Sequence, residues 1–193
     1  MLPQLETGRL CLREMRVADG PALQAFQDRP SYWRHQAVEP EELANGVERA
    51  RRYLKYRGEG AGRRLFVYVA MFKGDGTIVG QASLQRSAPA IASLGIGIDG
   101  DHAGRGLATE LAARLLAFGF ETLRLHRIEA DVAIENAACI RLLERIGMTR
   151  EGVARDCIRA QGRWWTEAKY AMLEEEHRRR AGEPQRLAAA PAL

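Results

Sequence analysis

The chain has 193 residues, about the length of one domain, and 46% of them are hydrophobic and 28% charged, as in an ordinary globular protein. No apolar run approaches the ~18 residues that cross a bilayer. The N-terminus also lacks a basic-then-apolar signal pattern. These features exclude membrane-spanning, collagen-like and wholly disordered classes, and we expect a cytoplasmic protein that does not contact a membrane.

Charge and cysteine content narrow the class further. The three cysteines are an odd number without metal-ligand spacing, so they predict neither a disulfide framework nor a metal site. The net charge is +4, but residues 49–64 alone carry seven Lys or Arg residues against Glu59. One local basic patch is therefore expected, rather than the uniform basicity of a protein that coats nucleic acid.

The predicted elements alternate between strands and helices. Polar–apolar alternation predicts a strand at 9–13, and Asp19 with Pro21 predicts the start of a short helix. Pro40, followed by two glutamates, predicts the start of a second helix that buries its apolar stripe from Leu43 to Leu54 and turns most of its arginines outward. Beyond a glycine-rich break, the patterns predict strands at 65–72, 77–84 and 92–98, a helix at 106–123, a strand at 127–132, a helix at 136–146, and a strand pair at 152–158 and 164–173. We predict a single domain over 1–175 and a frayed helix that runs into a flexible tail over 176–193.

The segment from Gly100 to Gly106 joins a predicted strand directly to a predicted helix. The first turn of a helix presents backbone N–H groups without helical partners and the positive end of the helix dipole. Gly104 and Gly106 lack the side chains that would keep a phosphate from this backbone. Arg105 can add a charge and Thr109 a hydroxyl. The spacing is neither a P-loop nor a dinucleotide fingerprint, so the residues alone leave two readings open, a phosphate site and a tight strand–helix turn.

Short motifs recur along the chain in a fixed order, at 9–13 with Asp19, 78–80, 104–110, 126–130, 136–148, 151–152, 162–164 and Tyr170. In this order and spacing they resemble the GNAT family of acetyl-CoA-dependent N-acetyltransferases, especially its RimJ/RimL group, which acetylates the N-termini of ribosomal proteins. The resemblance covers about residues 5–175. It implies an α/β (α+β) fold with a mixed, mostly antiparallel central sheet flanked by helices, in which two strands splay apart at the acetyl-CoA site. It also implies acetyl-CoA as the acetyl donor and no metal.

The resemblance implies that backbone groups build most of the acetyl-CoA site. The backbone of Ile96, Gly97 and Ile98 would pair with the pantetheine arm and hold the acetyl carbonyl. The pyrophosphate would bind the amides of Gly104, Arg105, Gly106, Leu107, Ala108 and Thr109. Asn136 would contact the cofactor arm, although its place before a predicted helix is also that of an N-cap.

Departures from the family pattern leave the catalytic residues open. Asp101 stands where the loop motif has Gln or Arg, Ser93 where the family often has a glutamate base, and Leu143 where many relatives have a tyrosine acid. Cys139 occupies the position of the serine in RimL-type relatives, and a thiol there would protonate the departing CoA thiolate. The alternative is a small buried thiol. Glu129 is the candidate base, acting through water, and a salt-bridged surface glutamate is the alternative.

The acceptor side would lie between the first two helices and the late strands, with Trp33, His35 and Trp164 as candidate substrate-binding residues. The leading hypothesis is acetylation of the α-amine of a protein or peptide, with residues 49–64 contacting the ribosome or forming only a solvated helix face. A small amine of the polyamine or aminoglycoside type would instead require an acidic cleft. A CoA-binding or RNA-associated module without catalysis is the third reading, and both a monomer and a homodimer stay open.

Overall fold

The computed structural model describes residues 2–39 and 45–182. These residues form an eight-stranded sheet in the order β1-β2-β3-β4-β5-β6-β8-β7. The strands are β1 (Leu5–Glu6), β2 (Leu10–Glu14), β3 (Leu65–Phe72), β4 (Ile78–Ala88), β5 (Ile91–Ile98), β6 (Arg127–Ala133), β7 (Thr149–Ala160) and β8 (Arg163–Leu173). The helices are α1 (Gly20–Gln27), α2 (Pro30–Trp33), α3 (Gly46–Tyr56), α4 (Leu107–Ala117), α5 (Ala137–Ile146) and α6 (Glu174–Gly182).

The sheet opens between the neighbouring strands β5 and β6. β5 and β6 are parallel, whereas the other neighbouring strands are antiparallel. The parallel pairing covers only three residue pairs, the last of which joins Ser93 to Glu129. β5 nevertheless continues to Ile98, paired with β4 as far as Gly80, so β5 and β6 diverge. This confirms the predicted mixed, mostly antiparallel sheet with a strand splay.

Both faces of the sheet are covered by helices, because alternate strand residues are apolar on each side. On one face, Tyr68, Leu84 and Ile128 pack with the buried residues of α4 and with α5. On the other face, Val67 and Val69 pack with residues of α1 and α3. The splay therefore has one side toward α4 and α5 and another toward α1, α2 and α3.

Helix α3 differs from the prediction in its first residue and in the burial of one of its arginines. It begins at Gly46, where the Asn45 side chain accepts hydrogen bonds from the first-turn amides. The predicted start at Pro40 and the stripe residue Leu43 lie outside the described residues. Arg49 is only 5% exposed, because it lies on the side of α3 that faces α1 and Tyr32. Short helix α2 was not predicted.

The predicted helix over 106–123 is two structures in succession. Helix α4 ends at Ala117, and one wide π-helical turn covers Phe118–Thr122. Residues two apart on a regular α-helix do not share a face, yet Phe118 and Phe120 are both buried. Gly119 lies between them, where a Cβ would come within 2.6 Å of Ile128. The wider turn thus buries three successive residues against the sheet.

The C-terminal helix α6 returns to the domain. Its His177 ring stacks on Phe120 at a centroid distance of 4.9 Å. Its Arg180 donates to the carbonyl of Arg145 at 3.4 Å, at the C-terminal end of α5, where a cation complements the helix dipole. The division into a domain over 1–175 and a flexible tail stays a prediction, and residues 183–193 lie outside the described part. No described helix is long and apolar enough to span a membrane.

Candidate active site

Backbone groups of β5 face the splay. The amide of Asp99 donates to Val79 in β4, and the carbonyl of Gly97 lies next to Gly80 in β4. Because backbone groups alternate in direction along a strand, those of Ile96 and Ile98 point into the splay. Of the three residues predicted to pair with the pantetheine arm, two therefore turn their backbone groups into the splay. The carbonyl of the third, Gly97, is turned toward β4.

Gly97 instead forms a contact surface on the α1–α3 side. A Cβ on Gly97 would lie 3.3 Å from both Cε2 and Oη of Tyr32, so the tyrosine ring lies against bare strand backbone. The Tyr32 ring also meets Trp33 edge-on, with centroids 5.3 Å apart. Burial raises the pKa of the Tyr32 hydroxyl. Nothing in the spacing of the sequence pointed to Tyr32, because it depends on a short helix that the patterns did not show.

The loop after β5 leaves its backbone open to solvent at a glycine and leads directly into a helix. Gly104 and Gly106 both have φ +76, a conformation that favours glycine. A Cβ on Gly104 would meet nothing within 4 Å, and Arg105 is exposed. Helix α4 begins at Leu107, which is 2% exposed and anchors the helix start. The first-turn amides, which include those of Ala108 and Thr109, have no acceptors inside the helix.

Asp101, the acidic residue at the start of this loop, forms an ion pair. Arg29 contacts Asp101 at 2.6 Å and Asp99 at 2.8 Å. Asp99 in turn accepts a hydrogen bond from the Asp101 amide. The sequence placed Asp101 where relatives have Gln or Arg, and the structure supplies a cation from another part of the chain. Arg29 was missed because 70 residues separate it from Asp99.

Asn136 and Cys139 form the start of α5. The Asn136 side chain accepts a hydrogen bond from the Cys139 amide at 3.1 Å, which confirms the N-cap reading of Asn136. The Cys139 thiol is partly buried against the core that α4 and α5 cover. Burial raises the pKa of the thiol to about 11, so it is protonated at neutral pH. Leu143, at the position of the tyrosine acid in relatives, is a buried core residue.

Glu129 lies on the Tyr32 side of the splay. It is paired with Ser93 across the two strands, and neighbouring residues in register share a face. Its carboxylate accepts a hydrogen bond from Arg127 at 2.7 Å. Arg127 also pairs with Glu151. The arrangement matches the salt-bridged alternative, and the role of Glu129 as a base acting through water stays a proposal.

The acceptor-side candidates do not all come together. Residues 33–39, which include Trp33 and His35, run to the tip of the β7–β8 hairpin, where Gln161 donates to the carbonyls of Gln36 and Val38. Trp165 lies on this face as a core residue, packed with Ala37. Trp164 is 56% exposed and points to the opposite face, because neighbouring residues in a strand alternate. The structure therefore does not bring Trp164 together with Trp33 and His35.

The basic stretch 49–64 is in part tied into the fold. Arg57 and Arg63 each donate to Glu14 Oε1 at 2.6 Å. Burial alone would raise the pKa of the Glu14 carboxyl, but hydrogen bonds from Arg63 and the Leu2 amide and the charges of both arginines outweigh it and lower the pKa. These two arginines therefore stabilise the fold around β2 rather than form an outward patch.

The fold and the loop geometry agree with the comparison against protein families. The family described as "Acetyltransferase (GNAT) domain" matches residues 9–149. The chain belongs to this family, and it is an acetyl-CoA-dependent N-acetyltransferase. Within residues 2–39 and 45–182, no group of three or more His, Cys, Asp or Glu side chains is placed to hold a metal ion.

Two curated relatives come from Bacillus. The chain is 28% identical to the uncharacterized N-acetyltransferase p20 of Bacillus licheniformis, over 90% of this chain and 97% of that protein. It is 42% identical to the uncharacterized N-acetyltransferase YnaD of Bacillus subtilis over 76 residues, which cover 39% of this chain and 45% of YnaD.

Two solved structures share the fold. The ribosomal-protein-S5-alanine acetyltransferase of Vibrio fischeri superposes with a TM-score of 0.79 at 17% identity, over 90% of this chain and 98% of that one. The spermidine N-acetyltransferase of Vibrio cholerae, solved with CoA and spermine, gives a TM-score of 0.76 at 24% identity, over 87% of this chain and 97% of that one.

Proposed function

We propose that the protein transfers acetyl groups to the α-amine of a protein or peptide, as a member of the RimJ/RimL-like group. One observation carries the choice of acceptor. Within the described residues, the carboxylates of Asp101, Glu129, Asp131 and Glu135 each lie in an ion pair, with Arg29, Arg127, Lys169 and Arg163 respectively. The first three of these cations are shared with a second carboxylate, Asp99, Glu151 and Glu167. A polyamine carries several charges and needs carboxylates that are left free to bind it, whereas a single terminal amine needs fewer.

The donor half of the proposed site is the loop and the splay. The pyrophosphate binds the amides from Gly104 to Thr109, with Arg105 adding charge. The pantetheine arm pairs with the backbone of Ile96 and Ile98, and Asn136 contacts the arm while it caps α5. The exposed, side-chain-free surface at Gly104 supports this assignment, because it leaves the loop backbone accessible to an anion.

The chemistry proposed for this site is direct attack. The neutral amine adds to the thioester carbon, a β5 amide stabilises the oxyanion, and the C–S bond breaks. Glu129 removes the amine proton through water, and Cys139 donates a proton to the leaving thiolate. The two groups lie on opposite sides of the splay, Glu129 with Tyr32 and Cys139 with α5. Trp33 and His35 line the path of the acceptor.

The remaining basic residues of 49–64 are proposed to guide docking on the ribosome in the cytoplasm. The basic side chains exposed there are Arg51, Arg52, Lys55 and Arg64. If they contribute, raised salt should weaken acetylation of ribosomal protein on its particle while a short peptide with the same N-terminus is unaffected.

An acceptor panel tests the proposed function. The protein is mixed with acetyl-CoA and with N-terminal peptides, ribosomal proteins, polyamines and aminoglycosides, and release of free thiol is followed. We expect turnover with peptides or proteins that have a free α-amine, and none with the same peptides blocked at the N-terminus. Faster turnover with polyamines would contradict the acceptor assignment. A Cys139→Ala variant with unchanged kcat at all pH values would dismiss the thiol as the proton donor.

A further inference from the structure

The carboxylate of Glu110, in the first turn of α4, is held by the turn that joins β1 to β2. Its Oε1 accepts hydrogen bonds from the Arg9 amide at 2.8 Å and from the Thr7 hydroxyl. Its Oε2 accepts from Arg9 Nε at 2.7 Å. Hydrogen bonds from Thr7 and Arg9 outweigh the effect of burial and lower the pKa of this carboxyl. Glu110 is therefore turned toward the β1–β2 turn rather than toward the mouth of the loop.

Arg9 extends from this ion pair to the glycine loop. Its Nη1 donates to the carbonyl of Arg105 at 2.9 Å, and its Nη2 lies 3.6 Å from where a Cβ of Gly106 would be. Within the described residues, Arg9 is the side chain that hydrogen-bonds the backbone of 103–106. Its own carbonyl accepts from the Lys73 amide at 3.1 Å. One guanidinium thus connects the edge of the sheet, the loop and the start of α4.

A glycine loop without such support loses conformational entropy when it binds a ligand. Gly104 and Gly106 have no side chain to restrict their backbone conformations. Ordering such a flexible backbone opposes binding. The planar guanidinium of Arg9 binds the Glu110 carboxylate with one edge and the Arg105 carbonyl with another. This fixes the relative positions of the two groups, which the ammonium of a lysine would not do. The charge of Arg9 is largely matched by Glu110, so its contribution at the loop is chiefly one of position.

We propose that Arg9, oriented by Glu110, is a positioning residue that holds the loop from Gly104 to Gly106 in the conformation that receives the pyrophosphate of acetyl-CoA. The inference rests on the proposed donor site. It assigns a role in cofactor binding to a residue that is distant from the loop in sequence and belongs to the N-terminal turn.

Two variants of the full chain, Arg9→Lys and Glu110→Gln, test the proposal. Acetyl-CoA affinity is measured by calorimetry, and hydrogen exchange of the amides at 103–109 is followed without ligand. We expect about tenfold weaker acetyl-CoA binding and faster exchange in both variants, because the loop is no longer held in place. At saturating acetyl-CoA, kcat should stay within about twofold of the wild type, so that the loss falls on the KM for acetyl-CoA.

A matched control uses the ion pair between Glu6 and Lys73, which joins β1 to the β3–β4 turn without touching the loop. Lys73→Ala should change neither affinity nor exchange. Wild-type affinity and exchange in both test variants would overturn the proposal. A third variant, Arg9→Ala, removes the charge as well as the shape. Wild-type affinity in Arg9→Lys with loss in Arg9→Ala would also overturn the proposal, because charge alone would then suffice.

Failure of the proposal and failure of the proposed function are distinguishable. If the wild-type protein does not bind acetyl-CoA, the donor site itself is wrong. If it binds and only the variants differ from expectation, the positioning role is wrong. Glu110→Gln keeps the shape of the side chain, so it provides a folded variant even where a change at Arg9 lowers stability, and its hydrogen exchange reports on the loop without any ligand.

Discussion

The phenol ring of Tyr32 lies directly against the backbone of Gly97, because a Cβ at Gly97 would come within 3.3 Å of the ring and of the hydroxyl. The contact joins the α1–α2 region to the strand whose next residues lead into the loop. It means that the residue at 97 sets how closely helix α2 approaches the splay. A side chain at this position must displace the tyrosine.

Gly97→Val should destabilise the protein by about 1 to 3 kcal/mol, the usual range for overpacking. Tyr32→Ala in the same chain should recover part of that loss, since valine suits a strand once the ring is gone. Urea unfolding of the four chains of a double-mutant cycle measures the coupling. Gly152→Val is the control, because a Cβ on Gly152 meets nothing within 4 Å. Additive effects of the two changes would contradict the contact.

Gly104→Ala should separate the cost of backbone strain from the cost to cofactor binding. Gly76, in the β3–β4 turn, has φ +74 and an equally open surround, against φ +76 at Gly104. Alanine should therefore destabilise the protein by about 1 kcal/mol at either position. Only Gly104→Ala should raise the KM for acetyl-CoA, because its Cβ would occupy the open space beside the loop backbone where the pyrophosphate is proposed to bind. An equal KM effect at Gly76 would argue against a phosphate site at this loop.

The buried thiol of Cys139 should make stability depend on pH on the alkaline side. Its pKa is raised from 9.0 to about 11, so the folded state retains a proton that the unfolded chain releases first. The stabilisation is fully present below about pH 9 and is lost as pH rises toward about 11, by about 2 to 3 kcal/mol at most. The difference in unfolding free energy between wild type and Cys139→Ala, measured from pH 8 upward, should shrink accordingly. A constant difference would show that the thiol titrates as if exposed.

Glu14 should give the opposite dependence, on the acid side. Its pKa is lowered below 4.5, so the stabilisation is present above that pH and is lost as pH falls through the lowered value. Glu14→Gln leaves Arg57 and Arg63 without their carboxylate and should cost about 2 to 4 kcal/mol at neutral pH. Its loss of stability toward acid should be shallower than that of the wild type. Unfolding by urea at several pH values measures both effects.

The local structure of the proposed donor half could be predicted from the sequence because each of its signals lies within a short stretch of chain. The glycines before α4 and the N-cap Asn136 before α5 stand at the helix starts that the sequence predicts. The supporting contacts could not be predicted in this way. Arg29 reaches Asp99 across 70 residues and Arg9 reaches Arg105 across 96, and no periodicity reports such pairs.

The proposed acceptor side shows a second limit of sequence patterns. The strand that contains Trp164 and Trp165 was predicted correctly, but the two residues face opposite sides of the sheet. A shift of one position exchanges the faces, and aromatic residues side by side give no indication of which one is buried. The Trp165 indole N–H donates to the carbonyl of Ala160 inside the hairpin. Trp165 is therefore buried with its polar group hydrogen-bonded, whereas Trp164 is exposed.

The hydrogen bonds from Gln161 to Gln36 and Val38 connect the hairpin tip to the segment that begins with α2. The same segment also begins beside the loop, because Arg29, directly before α2, pairs with Asp99 and Asp101, and Tyr32 of α2 lies against Gly97. One stretch of chain thus runs from the start of the loop to the hairpin tip. Under the proposed function, a change in the length of the β7–β8 hairpin would pull on this stretch and shift the acceptor side and the start of the loop together.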